Sequence, residues 1–247
     1  MNVHRTASPT TTTTPGPASS RGHSHTDPVD AAGNQFATGL AGLQAIYLHR
    51  EHTFGVGGML VLHFRPHLMF ADGSVFRDLP TRVDTFDVAA SKASEARDWG
   101  TWTRNGDEIR ITWPDGDTDT WDAGSWYVAR PAQRGEPIAG AYASISGGGN
   151  TALGGSVLTF ASRNLTFDGD RFTAESTGGT SGAVTAYSSQ DRAGTYVLDG
   201  HTIELHFNNG TTERQFFYFY PDSKNVLGIG SRSYTRRDKT ERGPGRA

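Results

Sequence analysis

The chain has no cysteine among its 247 residues. Disulfides, thiolate metal sites and cysteine nucleophiles are therefore excluded, and a reducing compartment is permitted. No apolar run approaches the ~20 residues of a membrane-spanning helix, and the N-terminus has no hydrophobic segment of the secretory kind. A cytoplasmic location with no membrane partner is the expectation. Charge of one sign is scarce: 23 Lys and Arg against 26 Asp and Glu leave a formal net charge of −3, too small to argue for nucleic acid. Helical patterning is confined to 91–98 (SKASEARD), enough for a turn or two. The GGGN stretch at 147–150 has neither the strand-to-helix context nor the following Lys-Ser/Thr of a phosphate loop. No G-x-S-x-G elbow occurs, and no cofactor is expected.

Glycine, by contrast, is abundant at 31 residues, as suits a protein of many tight turns. One stretch appears twice. Residues 99–116 (WGTWTRNGDEIRITWPDG) lie over 193–210 (AGTYVLDGHTIELHFNNG) at a constant offset of 94. Gly100 falls on Gly194, Trp102 on Tyr196, Gly106 on Gly200, Ile111 on Leu205 and Trp113 on Phe207. Period-2 apolar positions between glycine turns predict a β-hairpin, and a hairpin copied at fixed spacing is an internal repeat.

Four regions follow. Residues 1–35 are Thr/Ser/Pro-rich with almost nothing apolar to bury, which predicts disorder. The first repeat spans 36–130. MLVLHF (59–64) reads as a strand, a turn at Arg65-Pro66 leads into HLMF, and Ala71-Asp72-Gly73 reads as a hairpin tip. VDTFDVAA (83–90) is another candidate strand, and TDTWDAGSWYVA (118–129) a closing pair. A linker at 130–138 precedes the second repeat at 138–237. There GAYASI (140–145) answers the first strand, and LTFDGDRF (165–172) answers LMFADGSVF, Phe167 on Phe70 and Phe172 on Phe76. That offset drops from 97 to 96, a single-residue deletion. Residues 238–247 are a basic flexible tail.

Short strands with turns every 8–12 residues give an all-β profile of sandwich or barrel type. The recurring L-x-F…G-x-x-F and G-T-Y-x-x-x-G-x-x-I-x-L-x-F-x-x-G strings resemble lipocalin-like, calycin-type domains of bacteria, in two tandem copies. The resemblance implies two small antiparallel up-and-down barrels. One joint barrel or sandwich is the structural alternative.

The candidate site residues are aromatic and imidazole. All five tryptophans lie between 99 and 126. Trp102 and Trp113 share repeated aromatic positions with Tyr196 and Phe207, so they are either repeat core or pocket wall, while Trp99 and Trp126 have no aromatic counterpart. In FFYFY (216–220), Phe217 and Phe219 face one way and Phe216, Tyr218 and Tyr220 the other, a strand buried on both faces. One use of it is to pack one half against the other. Trp99, Trp102, Trp113, Trp126, Tyr196, Phe207, Phe217 and Phe219 would line a cavity for a small hydrophobic molecule. His49, His52, His63 and His67 are close in sequence but lack metal-ligand spacing, so no metal is expected. Alternation turns His63 away from Leu62 and Phe64, hence outward. The resemblance also implies a second possibility, a cyclase or isomerase on the same cavity, with His63, His67, Tyr218 and Tyr220 as acids or bases. A third is an interaction protein addressed by its N-terminal tail. Oligomeric state is left open by the sequence.

Overall fold

A computed structural model describes residues 40–54, 60–149, 158–181, 185–221 and 223–237. The tail at 1–35, Gly57-Gly58 and most of the basic end lie outside the described residues. The first half runs β1 (Leu43–Phe54), β2 (Leu60–Phe70), β3 (Ser74–Phe76), α1 (Val88–Ser94), β4 (Trp99–Asn105), β5 (Glu108–Thr112), β6 (Thr118–Trp121) and β7 (Trp126–Val128). The second is β8 (Gly140–Gly149), β9 (Leu158–Asp168), β10 (Arg171–Ser181), β11 (Thr185–Asp199), β12 (Thr202–Phe207), β13 (Thr212–Tyr220), β14 (Ser223–Ile229) and β15 (Arg232–Arg236). The second half is a closed eight-stranded antiparallel barrel in sequence order, β15 returning to β8. In the first, seven strands run β6-β5-β4-β3-β2-β1-β7, one strand short of closure between β6 and β7. No helix among the described residues is long and apolar enough to cross a membrane.

The repeated hairpins are β4–β5 and β11–β12, with Trp102 opposite Ile111 and Tyr196 opposite Leu205. Gly106 and Gly200 hold φ of +61° and +58° at the first position of their two-residue turns, the backbone that a II′-type turn requires and that L side chains resist.

Three local expectations are corrected. β2 does not turn at Arg65-Pro66 but runs unbroken through it, Pro66 pairing with Leu48. Proline is tolerated because β3 pairs only with Leu68 and Met69, so at Pro66 the strand is an edge that needs no donor. Residues 83–90 are not a strand. Asp87 accepts the Ala90 amide at 2.9 Å and starts α1, an N-cap that the run's branched residues obscure. The third concerns the facing of Phe70 and Phe76. The first half's β2–β3 connection is one residue longer, so Val75 and not Phe76 pairs with Gly100, where Phe172 pairs with Gly194. A one-residue slip turns a side chain to the other face. Phe70 and Phe76 point out of the first barrel, while Phe167 and Phe172 point into the second.

Those outward aromatics join a core between the halves. Phe216 and Tyr218 of β13 pack there with Leu68, Phe76, Val83 and Trp99, while Phe217 and Phe219 face into the second barrel. β13 is thus buried on both faces and binds one half to the other. Backbone bonds reinforce the join: Val83 N–H donates to Arg214 O at 3.2 Å, and Arg130 and Phe219 exchange two bonds of 2.9 Å.

Candidate functional site

The repeat allows the two interiors to be compared position by position. Strand pairing makes Tyr47 equivalent to Tyr142, His49 to Ser144, Arg65 to Arg163, and His67 to Leu165. It likewise makes Trp121 equivalent to Gln215 and Asp119 to Glu213.

In the first barrel the bulky members fill the space. Tyr47 stacks on Trp126 with centroids 5.0 Å apart and meets Trp102 edge-on at 5.9 Å. His49 lies flat on Trp121 at 4.4 Å, and His67 meets the same indole edge-on at 4.7 Å. The indole N–H groups are satisfied: Trp113 donates to Asp119 at 2.7 Å, Trp126 to Asp107 O at 2.9 Å and Trp102 to Phe70 O at 3.1 Å. Trp99 lies outside this interior, beneath α1, donating to Ser91 Oγ at 3.0 Å. These four tryptophans make packing contacts, and none lines the cavity described below.

The histidines are not where alternation alone puts them. His63, Arg65, His67 and Met69 share the inner face of β2, because the other face, with Phe64 and Leu68, is covered by the second half. His63 is nevertheless exposed near the strand's far end. His67 is buried, and its Nδ1 is 3.2 Å from Arg65 O. Burial lowers its pKa to about 3, against a smaller opposing pull from that backbone bond, so the ring is neutral. His49 and His67 approach, at 6.4 Å between rings. Among the described residues no group of three or more His, Asp or Glu could hold a metal ion.

Tyr218 and Tyr220 lie on the face of β13 turned toward the first half. The Tyr218 ring occupies the space a Cβ on Gly228 would need, and burial pushes its hydroxyl pKa up. Tyr220 Oη is 3.3 Å from Ser233 Oγ.

In the second barrel the smaller Ser144, Leu165 and Gln215 leave room. One end is shut. Tyr196 Oη accepts the Ile138 amide at 2.7 Å and lies 2.9 Å from the Gly169 carbonyl oxygen, fixing the linker under the barrel. Glu136 clamps Arg130 at 3.0 Å and Lys224 at 2.7 Å. Burial opposes its charge, but these bonds and the Gln133 amide outweigh that and lower its pKa to about 2. Phe217 and Phe219 fill the interior above, edge to face at 4.8 Å. Toward the other end a cavity of about 780 Å³ remains, walled by Leu165, Phe167, Phe172, Leu205, Phe207 and Ile229. Its polar rim includes Arg163, Tyr234, Arg192 and Glu213. Arg192 donates to Glu213 at 2.6 Å and lies over the Phe207 ring at 3.9 Å.

Of the aromatic candidates, Phe207 lines this cavity, while Tyr196, Phe217 and Phe219 belong to the packed core of the same barrel. Sequence reasoning missed Leu165, Phe167 and Phe172, although they belong to the repeated L-x-F…G-x-x-F string. It also missed Arg163, Arg192 and Tyr234, for which no spacing signal exists. Comparison with known proteins found no matching family model, no similar curated protein and no similar solved structure.

Proposed function

We propose that the protein binds a small apolar or aromatic ligand in the second barrel, the first serving as a packed scaffold. The observation that carries this reading is the cavity of about 780 Å³ over an apolar floor, a volume within the range of sites for drug-sized ligands. A barrel closed at one end and roomy at the other is suited to holding such a molecule. The eight strands in up-and-down order support kinship with lipocalin-like, calycin-type domains, as the repeated strings imply. Binding is preferred to a cyclase or isomerase because His63, His67, Tyr218 and Tyr220 all lie away from the cavity.

The experiment is titration with an uncharged naphthylamine dye whose emission rises in apolar surroundings. The wild type is expected to bind it, and Gln215→Trp, which copies Trp121 into the equivalent place, is expected to abolish binding while the fold persists by circular dichroism. Equal binding by both proteins would refute the site.

A further inference from the structure

The comparison of the two barrels isolates one charge. Arg65 and Arg163 occupy equivalent inner positions, opposite His49 and Ser144. In the first barrel Glu51, two residues beyond His49 on the same face, lies 3.7 Å from the Arg65 guanidinium. Two residues beyond Ser144 stands Ser146, so the matching carboxylate has become a hydroxyl. The described carboxylates of the second half that form ion pairs engage other cations: Glu213 with Arg192, Glu204 with Arg214 and His206, Glu136 with Arg130 and Lys224. Among the described residues none is within ion-pair distance of Arg163 or Arg232. Glu175 also borders the cavity but is one residue out of phase with the inward Ala174 and Ser176, opposite Asn164.

Register assembles the surroundings of this arginine. Thr235 pairs with Ala143 and Arg236 with Tyr142, which sets Tyr234 beside Ser144, and Ser144 pairs with Arg163. Arg163 and Tyr234 both border the cavity, and the Arg163 charge acts on the Tyr234 hydroxyl, partly offsetting the upward pull of burial on its pKa. Arg232 approaches Ser146 Oγ at 3.4 Å. Arg163 and Tyr234 therefore stand on one wall of the cavity rim, and the Arg232–Ser146 pair continues that wall beyond the lining. Directly below Arg163 on β9 come Leu165 and Phe167, which begin the apolar floor.

We propose that the ligand is an amphiphile with one oxyanion head, its tail on Leu165, Phe167 and Phe207 and its head on Arg163 and Tyr234. A guanidinium fork matches a carboxylate or a phosphate in two parallel hydrogen bonds, and a partly dried site strengthens them. The head stays at the rim, where water still reaches. An inverted ligand would bury its charge against phenylalanines, which is costly. The inference rests on the ligand-binding reading above.

Displacement of the uncharged dye by dodecanoate, dodecyl phosphate and dodecanol, all with one tail, tests it. The wild type is expected to take one of the anions at least about tenfold more tightly than the alcohol, and the preferred anion names the head. Arg163→Gln is expected to remove that preference and leave dodecanol affinity within about twofold, with Arg163→Lys intermediate because it keeps charge but not the fork. Equal affinities for anion and alcohol in the wild type, or equal losses for both in Arg163→Gln, would overturn the oxyanion head while leaving the cavity standing. Failure of the wild type to bind the dye or any of the three would overturn both readings together.

Discussion

At the scale of single residues, two repeated glycines carry weight for their missing side chain. A Cβ on Gly100 would sit 2.7 Å from Thr112 O and 2.9 Å from the Trp113 ring, and one on Gly194 would meet the His206 carbonyl oxygen closer still. The two carbonyl oxygens are backbone obstructions that no rotamer change relieves. Alanine at either position is expected to lower stability by about 1–3 kcal/mol, more at Gly194, as overpacking does; urea denaturation of the two variants checks this. Two buried histidines set a pH dependence. Burial lowers the pKa of His67 to about 3 and of His201 to about 4, from an ordinary 6.5. The folded state therefore binds fewer protons than the unfolded one. The stability these neutral rings contribute is whole above pH 6.5 and is lost as pH falls from there toward their folded values. Each is worth about 1.4 kcal/mol per pH unit in that window. The urea midpoint is expected to fall between about pH 7 and about pH 5, and the slope to flatten in a His67→Gln/His201→Gln variant. A slope unchanged by both substitutions would contradict the assignment.

At the scale of elements, β13 does two jobs in one strand. Phe216 is fully buried against Phe86, 6.0 Å between rings, on the first-half side, and Phe217 is fully buried on the barrel side. Phe216→Ala is expected to cost about 3–5 kcal/mol, the range of a large aromatic deleted from a core. Because that loss falls on the join, calorimetry should resolve the one transition expected of the wild type into two. A single transition at lower temperature would mean that the rest of the shared core around Tyr218, with the backbone bonds of Val83 and Arg130, still couples the halves. The two-faced burial of β13 was legible in FFYFY, since no solvated face is compatible with that run. The slip of β2–β3 was not. LMFADGSVF and LTFDGDRF keep the same order of phenylalanine, glycine and phenylalanine while the turn length changes, and only pairing to Gly100 or Gly194 shows which position of β3 or β10 faces inward.

At the scale of the whole molecule, the five tryptophans and the cavity lie in different halves. A contact quencher with an apolar body, bound in the second barrel, is therefore expected to leave tryptophan emission nearly unchanged. Strong quenching would place the ligand among Trp102, Trp113 and Trp126 instead. The converse substitution, Trp121→Gln, should open the first barrel and lower its stability without altering dye affinity in the second. The seam between β6 and β7 and the closed ring of the second half also belong to this scale. The first half has one strand fewer, so its interior is completed by stacked side chains and not by a full backbone ladder.

Sequence by itself determined most of the strands, the glycine turns and the repeat, because period-2 alternation and positive-φ turns are properties of neighbouring residues. It also determined that two related halves share one pattern and that β13 has no wet face. Only the tertiary structure decided where the apolar-walled cavity lies. That outcome depends on what faces what across a barrel: His49, His67 and Trp121 in one interior, Ser144, Leu165 and Gln215 in the other. Those sets lie on three separate strands in each half, and volume left over is a property of their sum, which no local pattern records.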